Sequence, residues 1–156
     1  MKQAYRQLYP FQSNWMTVNG HRCHYVDEGA GAPVLMLHGN PTWSFYYRRL
    51  IAALAPDYRV IAPDHIGCGL SDKPHPAAYA YRLENRLADL EMLVRRTVPD
   101  GPLTLVVHDW GGMIGMAFAL RHLERVRRIV VTNTSGFLPP AGKPIPLRLR
   151  LIRDFP

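Results

Sequence analysis

The chain has 156 residues, of which 47% are hydrophobic and 20% charged, a composition typical of one folded domain and unlike that of a disordered segment. No apolar run reaches the roughly 18–20 residues of a membrane span, and residues 1–12 lack the apolar core of a secretory signal, so neither is expected. The formal net charge is +7, but residues 121–156 carry most of it and no nucleic-acid-binding motif accompanies it, so no nucleic-acid partner is expected.

Strand patterns and helix patterns alternate along the chain. Two short strand-like runs, 14–19 and 21–27, meet at Asn19-Gly20, the strongest short signal for a hairpin. Apolar runs that predict buried strands then alternate with helix patterns. The strands are predicted at 34–38, 58–63, 103–108 and 128–133, and the helices at 43–54, 82–97 and 109–123. This alternation predicts an α/β fold with a mostly parallel sheet and helices on both faces.

The helix predicted at 82–97 is amphipathic. Its apolar residues recur at steps of four, three and four, which predicts one buried face. The charged residues between them are assigned to the solvent face, namely Arg82, Arg86, Asp89, Glu91 and Arg96.

The turn after the strand at 103–108 carries the first candidate site. Ligands of parallel sheets bind at the carboxyl ends of the strands, and here Asp109 joins the strand to a helix with no loop between them, the setting of a nucleophile elbow. A carboxylate in that place can displace a leaving group from saturated carbon without an activating base. Gly111 and Gly112 are assigned to close packing of the helix. The alternative, that Asp109 only caps the helix, does not account for Trp110 and the glycine pair.

The loop after the strand at 34–38 carries the second candidate site. In elbow-type hydrolases this loop supplies one backbone N–H of the oxyanion hole. The side-chain amide of Asn40 and the indole of Trp110 are neutral donors, and together they would receive a departing anion. The alternatives are that Asn40 only stabilises the turn and that Trp110 only packs against its neighbours. The neighbouring residues are assigned to orienting the two loops, namely His38, Gly39 and His108.

Three segments, 37–50, 62–74 and 105–117, resemble in the same order the haloalkane dehalogenase branch of the α/β-hydrolase fold. The phrases DHIGCGLSDKP, HDWGGMIGM and PAGKPIPLRLRL are most similar to its cis-β-lactone decarboxylases of bacterial olefin biosynthesis. The resemblance implies that Asp109 is the nucleophile and that the side chains of Asn40 and Trp110 stabilise the leaving anion. It also implies that the backbone N–H groups of Asn40 and Trp110 form the oxyanion hole.

The resemblance implies an enzyme that decarboxylates a cis-3-alkyl-4-alkyl-oxetan-2-one, a small apolar β-lactone, without a cofactor. It also implies association with other enzymes of hydrocarbon biosynthesis. The alternative is hydrolytic release of halide from a haloalkane. An epoxide hydrolase, which Asn40 argues against, and a non-catalytic remnant are further alternatives. Cys23 and Cys68 form no Cys/His cluster, which predicts no metal site and fits a cytoplasmic location.

The same resemblance implies a catalytic acid and a catalytic His after the nucleophile. Only His122 follows Asp109, and at 1.5 Å per helical residue it lies about 20 Å away, so it is assigned to a helix end. Some dehalogenases carry the acid just after the strand predicted here at 128–133, but Asn133, Thr134 and Ser135 do not ionise. Neither group is therefore expected in this chain. We expect residues 1–136 to form the N-terminal part of the hydrolase core and residues 137–156 to begin an incomplete cap domain. Such an N-terminal fragment should be inactive on its own.

Overall fold

The computed structural model describes residues 5–134. Within this range the strands are β1 Asn14–Val18, β2 His21–Glu28, β3 Pro33–Leu37, β4 Arg59–Pro63, β5 Leu103–His108 and β6 Val126–Thr132. The α-helices are α1 Arg48–Leu54, α2 Leu83–Thr97 and α3 Trp110–Arg121, with 3-10 turns at Ser44–Tyr47 and Leu123–Arg125. Every predicted strand and helix is present, although the helix predicted at 43–54 is divided into a 3-10 turn and α1. Across the described residues, each helix is too short or too polar to traverse a bilayer.

The six strands of the described chain form one sheet in the order β1-β2-β4-β3-β5-β6. β1 and β2 form the predicted hairpin, and its turn residues Asn19 and Gly20 have φ values of 46° and 84°. β2 is antiparallel to β4, whereas β4, β3, β5 and β6 run parallel to one another. The prediction of a mostly parallel sheet is therefore confirmed.

Both faces of the central strands are covered, which explains their continuous apolar runs. Along β3, Leu35 and Leu37 point into a core shared with α2 and α3, and Val34 and Met36 point into a second core shared with α1. All four side chains are buried. This two-sided packing fixes β3 and β5, whose carboxyl ends carry both candidate loops.

The solvent face assigned to α2 is wrong for Asp89 and holds only in part for Arg86 and Glu91, which are half-buried. Asp89 is buried, and its carboxylate accepts hydrogen bonds from Asn19 Nδ2 at 2.7 Å and from the Tyr79 hydroxyl at 2.6 Å. Burial raises the pKa of this carboxyl above its ordinary value. Arg86 is half-buried and lies beside the candidate site. Asp89 is buried because the hairpin turn and the long loop before α2 pack over the helix.

The prediction that β6 is buried is wrong for the described part of the chain. β6 is the last strand in the sheet order, and Val130 and Val131 are 47% and 51% exposed. Apolar composition alone does not bury a strand, because burial needs a neighbouring element on each face. The predicted start of a cap domain, 137–156, lies outside the described residues.

A buried carboxylate, Asp64, ties the loop after β4 to two other segments. It accepts hydrogen bonds from His24 Nδ1 at 3.0 Å and from the backbone N–H groups of Ser44 and Leu70 at 2.8 Å each. Burial by itself would raise the pKa of Asp64, but these hydrogen bonds outweigh burial and hold the pKa below its ordinary value. The cluster fixes one wall of the candidate site.

Acid should therefore weaken the fold through Asp64. A lowered pKa in the folded state means that the stabilisation is present above the ordinary pKa of 3.8 and is lost as the pH falls through the folded value. We expect Asp64→Asn to lower the free energy of unfolding by about 2 kcal/mol at pH 7, and by less at pH 3. Urea midpoints of the two proteins at both pH values measure this, and a difference that does not change with pH would contradict it.

Candidate active site

Asp109 occupies a strained turn between β5 and α3. Its φ and ψ are 51° and −125°, an unfavourable conformation for a residue with a side chain. Although it stands at the helix N-cap position, its side chain makes no capping hydrogen bond to α3. The geometry is that of a sharp strand-to-helix corner, and it leaves the carboxylate available to the neighbouring loop.

The carboxylate of Asp109 lies against the loop that follows β3. Its Oδ1 accepts the backbone N–H of Asn40 at 2.9 Å. The carbonyl of Asp109 accepts the N–H of Gly112 at 2.9 Å and the hydroxyl of Thr134. The peptide is thus held by the first turn of α3 and by the residues after β6, while the side chain is held by the β3 loop.

Three glycines make room for this corner. A Cβ at Gly39 would lie 2.6 Å from Asp109 Oδ1, and a Cβ at Gly111 would lie 2.8 Å from the carbonyl oxygen of His38. Gly112 faces the side chain of Thr134. Gly111 therefore lets α3 approach β3, whereas Gly112 lets Thr134 approach the helix.

Two histidines link the loops after β3 and β4, with ring centroids 4.3 Å apart and ring planes tilted by 44°. The buried ring of His38 donates from Nδ1 to the Gly39 carbonyl at 2.8 Å and accepts the backbone N–H of His65 at Nε2, at 3.0 Å. His65 Nε2 lies 3.2 Å from the carbonyl oxygen of His38. Burial lowers the pKa of both rings, and His38 lowers that of His65 further, so both are neutral at pH 7. These contacts are those expected of His38 if it orients the two loops. No role was predicted for His65 from the sequence.

His108 makes a different contact. Its ring stacks on Tyr46 with centroids 4.4 Å apart, and within residues 5–134 its buried Nδ1 has no hydrogen-bond partner. Its contact with the neighbouring helical turn is therefore stacking and not a hydrogen bond through Nδ1.

Asn40 and Trp110 line one cavity of about 240 Å³, which we call the Asn40–Trp110 cleft. The side-chain oxygen of Asn40 accepts a weak hydrogen bond from the Cys68 thiol at 3.6 Å, which leaves the amide NH₂ as a donor. Trp110 is 40% exposed and also lines an adjoining cavity of about 350 Å³ with Asp109 and Met113, the Asp109–Trp110 cleft. The three residues singled out in the sequence are therefore neighbours, with Trp110 common to both clefts.

Two further residues of the Asn40–Trp110 cleft, Tyr81 and Arg86, were missed in the sequence. The guanidinium of Arg86 donates to the carbonyl of Ile66 at 3.1 Å, and its Cζ lies 5.6 Å from the ring centroid of Tyr81. The Tyr81 hydroxyl donates to the carbonyl of Pro74 at 2.6 Å. The one feature of the sequence that could have indicated a buried role for Arg86 is its position beside Leu87 in the apolar stripe of α2. That position does not show that Arg86 lines a cleft.

His122 ends α3, where its Nε2 lies 3.0 Å from Glu91 Oε1, as expected for a helix-end residue.

Among the described residues, no group of three or more His, Cys, Asp or Glu side chains could hold a metal ion.

Known proteins are similar to this chain over most of its length. Residues 32–156 match the model of the alpha/beta hydrolase fold family. A cis-3-alkyl-4-alkyloxetan-2-one decarboxylase of Shewanella oneidensis is 52% identical over 147 residues, covering 94% of this chain and 46% of that protein. Haloalkane dehalogenase 2 of Mycobacterium bovis is 44% identical over 128 residues, covering 82% of this chain and 44% of that protein. The chain thus spans about half the length of these curated relatives.

Among solved structures, the epoxide hydrolase CorEH superposes with a TM-score of 0.78 at 31% identity, covering 92% of this chain and 50% of that one. An enzyme of each of the three activities considered from the sequence is therefore similar to this chain.

Proposed function

We propose that this chain, which belongs to the alpha/beta hydrolase fold family, carries the nucleophile and the anion-stabilising groups of a β-lactone decarboxylase. The substrate class is a cis-3-alkyl-4-alkyl-oxetan-2-one and the product is an alkene. The observation that carries the proposal is the Asp109 carboxylate, raised on a strained corner without capping α3 and bordered by Trp110 and Asn40. The similarity to the decarboxylase of Shewanella oneidensis supports this choice of substrate.

The reaction balances without water. Because Asn40 N–H occupies Oδ1 of Asp109, we assign the attack to Oδ2. Oδ2 bonds to the saturated ring carbon attached to the ring oxygen, and the bond between that carbon and the ring oxygen breaks, leaving an Asp109 ester and a carboxylate. Carbon dioxide then leaves, the electron pair of the broken carbon–carbon bond forms the alkene, and the ester bond breaks to restore the Asp109 carboxylate.

Asn40 and Trp110 act on the negative charge that appears when the ring opens. The amide NH₂ of Asn40, with its oxygen held by Cys68, and the indole N–H of Trp110 are neutral donors in the same cleft. Donors already in place where charge develops lower the barrier without a cost of reorganisation. Neutral donors also suit a site beside a nucleophilic carboxylate, since they do not form an ion pair with it.

Haloalkane dehalogenation is the second candidate, and the same pair of donors supports it. A halide is also an anion that leaves carbon, and the dehalogenase of Mycobacterium bovis is similar to this chain. That route differs in its second half, because water must hydrolyse the Asp109 ester with the help of a base. It therefore needs a residue that the described part of the chain does not place beside Asp109.

A substrate comparison tests the proposal. The protein that carries this chain is offered a cis-dialkyl β-lactone and, separately, a 1-bromoalkane of similar length. We expect alkene from the lactone, measured by gas chromatography, and from the haloalkane no more than the one bromide per protein that alkylation of Asp109 releases, measured by ion chromatography. Release of many bromide ions per protein without alkene would overturn the decarboxylase assignment in favour of the dehalogenase.

The donor pair has its own expected effect. Trp110→Phe keeps an aromatic ring but removes the N–H, and Asn40→Ala removes the amide. Each should slow alkene formation by about 100-fold, mainly in kcat, because the lost interaction forms with the developing charge. Trp15→Phe, in an exposed position on β1, is the matched control and should leave the rate unchanged. An unchanged kcat in both site variants would remove the donors from the mechanism.

A further inference from the structure

The Asn40–Trp110 cleft is lined by a positively charged side chain, Arg86, to which the proposed reaction assigns no role. Arg86 is half-buried on α2, and among the described residues its guanidinium forms no ion pair with a carboxylate. Asp89, three residues further along the helix, is engaged by Asn19 and Tyr79 instead. A positive charge that is partly removed from water and has no negative charge beside it is unfavourable. An anion bound in the cleft would compensate for this cost.

The guanidinium is held in place yet keeps donors for a ligand. One N–H donates to the carbonyl of Ile66 at 3.1 Å, and the ring of Tyr81 lies beside it. Arginine has five N–H donors in a planar fork, so several remain after this single hydrogen bond. The anchored fork can therefore face an anion without first losing its conformational freedom.

Arg86 is also separated from the nucleophile. Asp109 lines the adjoining Asp109–Trp110 cleft, and Trp110 is shared by the two. The hydrogen bond to Asp109 Oδ1 comes from the neutral N–H of Asn40. The positive charge thus lines the cleft of the two neutral donors and forms no ion pair with the attacking carboxylate among the described residues.

We propose that Arg86 is the carboxylate-recognising residue of the Asn40–Trp110 cleft. This rests on the proposed function: in the cleft that it shares with Asn40 and Trp110, it binds the carboxylate that ring opening creates. A planar guanidinium matches the two oxygens of a carboxylate, whereas a spherical halide uses only its charge. The cleft of about 240 Å³ has room for a carboxylate head group. Loss of neutral carbon dioxide ends the ion pair.

Direct anion binding tests this residue independently of turnover. Butyrate and chloride are titrated at constant ionic strength, and tryptophan fluorescence reports occupancy beside Trp110. We expect the wild-type protein to bind butyrate more tightly than chloride, and Arg86→Gln to weaken butyrate binding by about 10-fold or more. Arg86→Lys keeps the charge but loses the fork, so chloride binding should be retained while butyrate binding stays weakened. Arg82→Gln, exposed at the start of α2, is the matched control and should bind both anions like the wild type.

Several results would overturn the assignment. One is equal butyrate affinity in the wild type and Arg86→Gln, and another is a wild-type protein that does not bind butyrate. Full recovery of butyrate binding by Arg86→Lys would show that charge alone matters. If circular dichroism shows that Arg86→Gln is unfolded, Arg86→Lys decides the question. Failure of the proposed function would instead appear as absence of alkene from the wild-type protein, whatever the anion titrations show.

Discussion

Asp109→Asn is expected to abolish covalent alkylation of the protein. The wild-type chain, incubated with a 1-bromoalkane, should gain one alkyl group as an ester of Asp109, visible by intact-mass spectrometry and located by peptide mapping. The amide of Asn has nearly the same shape and can still accept the N–H of Asn40, but it is a very poor nucleophile. We expect the rate of labelling to fall by at least about 10³-fold.

A matched control separates this effect from general reactivity of carboxylates. Asp100 is exposed in the turn before β5, and Asp100→Asn should label like the wild type. The experiment needs only the first bond-forming step, so it tests the nucleophile without a downstream base. An ester on a carboxylate other than Asp109, or normal labelling of Asp109→Asn, would refute the elbow assignment.

Gly111→Ala should destabilise the fold by about 3 kcal/mol or more. The added Cβ would meet the carbonyl groups of Leu37 and His38, which belong to the backbone at the end of β3. β3 is paired on both sides, with β4 and β5, so it cannot move aside without loss of sheet hydrogen bonds. The cost should appear even though alanine favours a helix by about 1 kcal/mol over glycine.

Gly115→Ala, one turn further along α3, provides the comparison. Its added Cβ would contact side chains, with Val107 Cγ1 at 2.7 Å and Leu37 Cδ1 at 3.3 Å, and side chains can shift more easily than a central strand. Urea midpoints at constant m-value give the free energy of unfolding of each variant. If Gly111→Ala lowers the free energy of unfolding no more than Gly115→Ala does, close approach of α3 to β3 does not determine the corner at Asp109.

Several features could be predicted from the sequence because they depend on local geometry. Asn19-Gly20 predicted the hairpin, since both residues tolerate the positive φ that its turn requires. The continuous apolar run of β3 predicted burial on two faces, as the two cores show. Asp109 was placed at a corner because β5 runs into α3 with no loop, which leaves the chain no other way to turn.

Other features were decided only by the tertiary structure. The loop between β4 and α2 has no periodicity, so the sequence could not show that it would enclose Arg86 or pair His65 with His38. Asp89 resembles a solvent-facing residue in the helical pattern, and only the approach of Asn19 and Tyr79 makes its burial tolerable. The spacing of apolar residues along a helix or strand indicates which way each side chain points from that element. Whether that direction leads to water, to a core or into a cleft depends on distant segments, and their placement is fixed only when the sheet and its loops assemble.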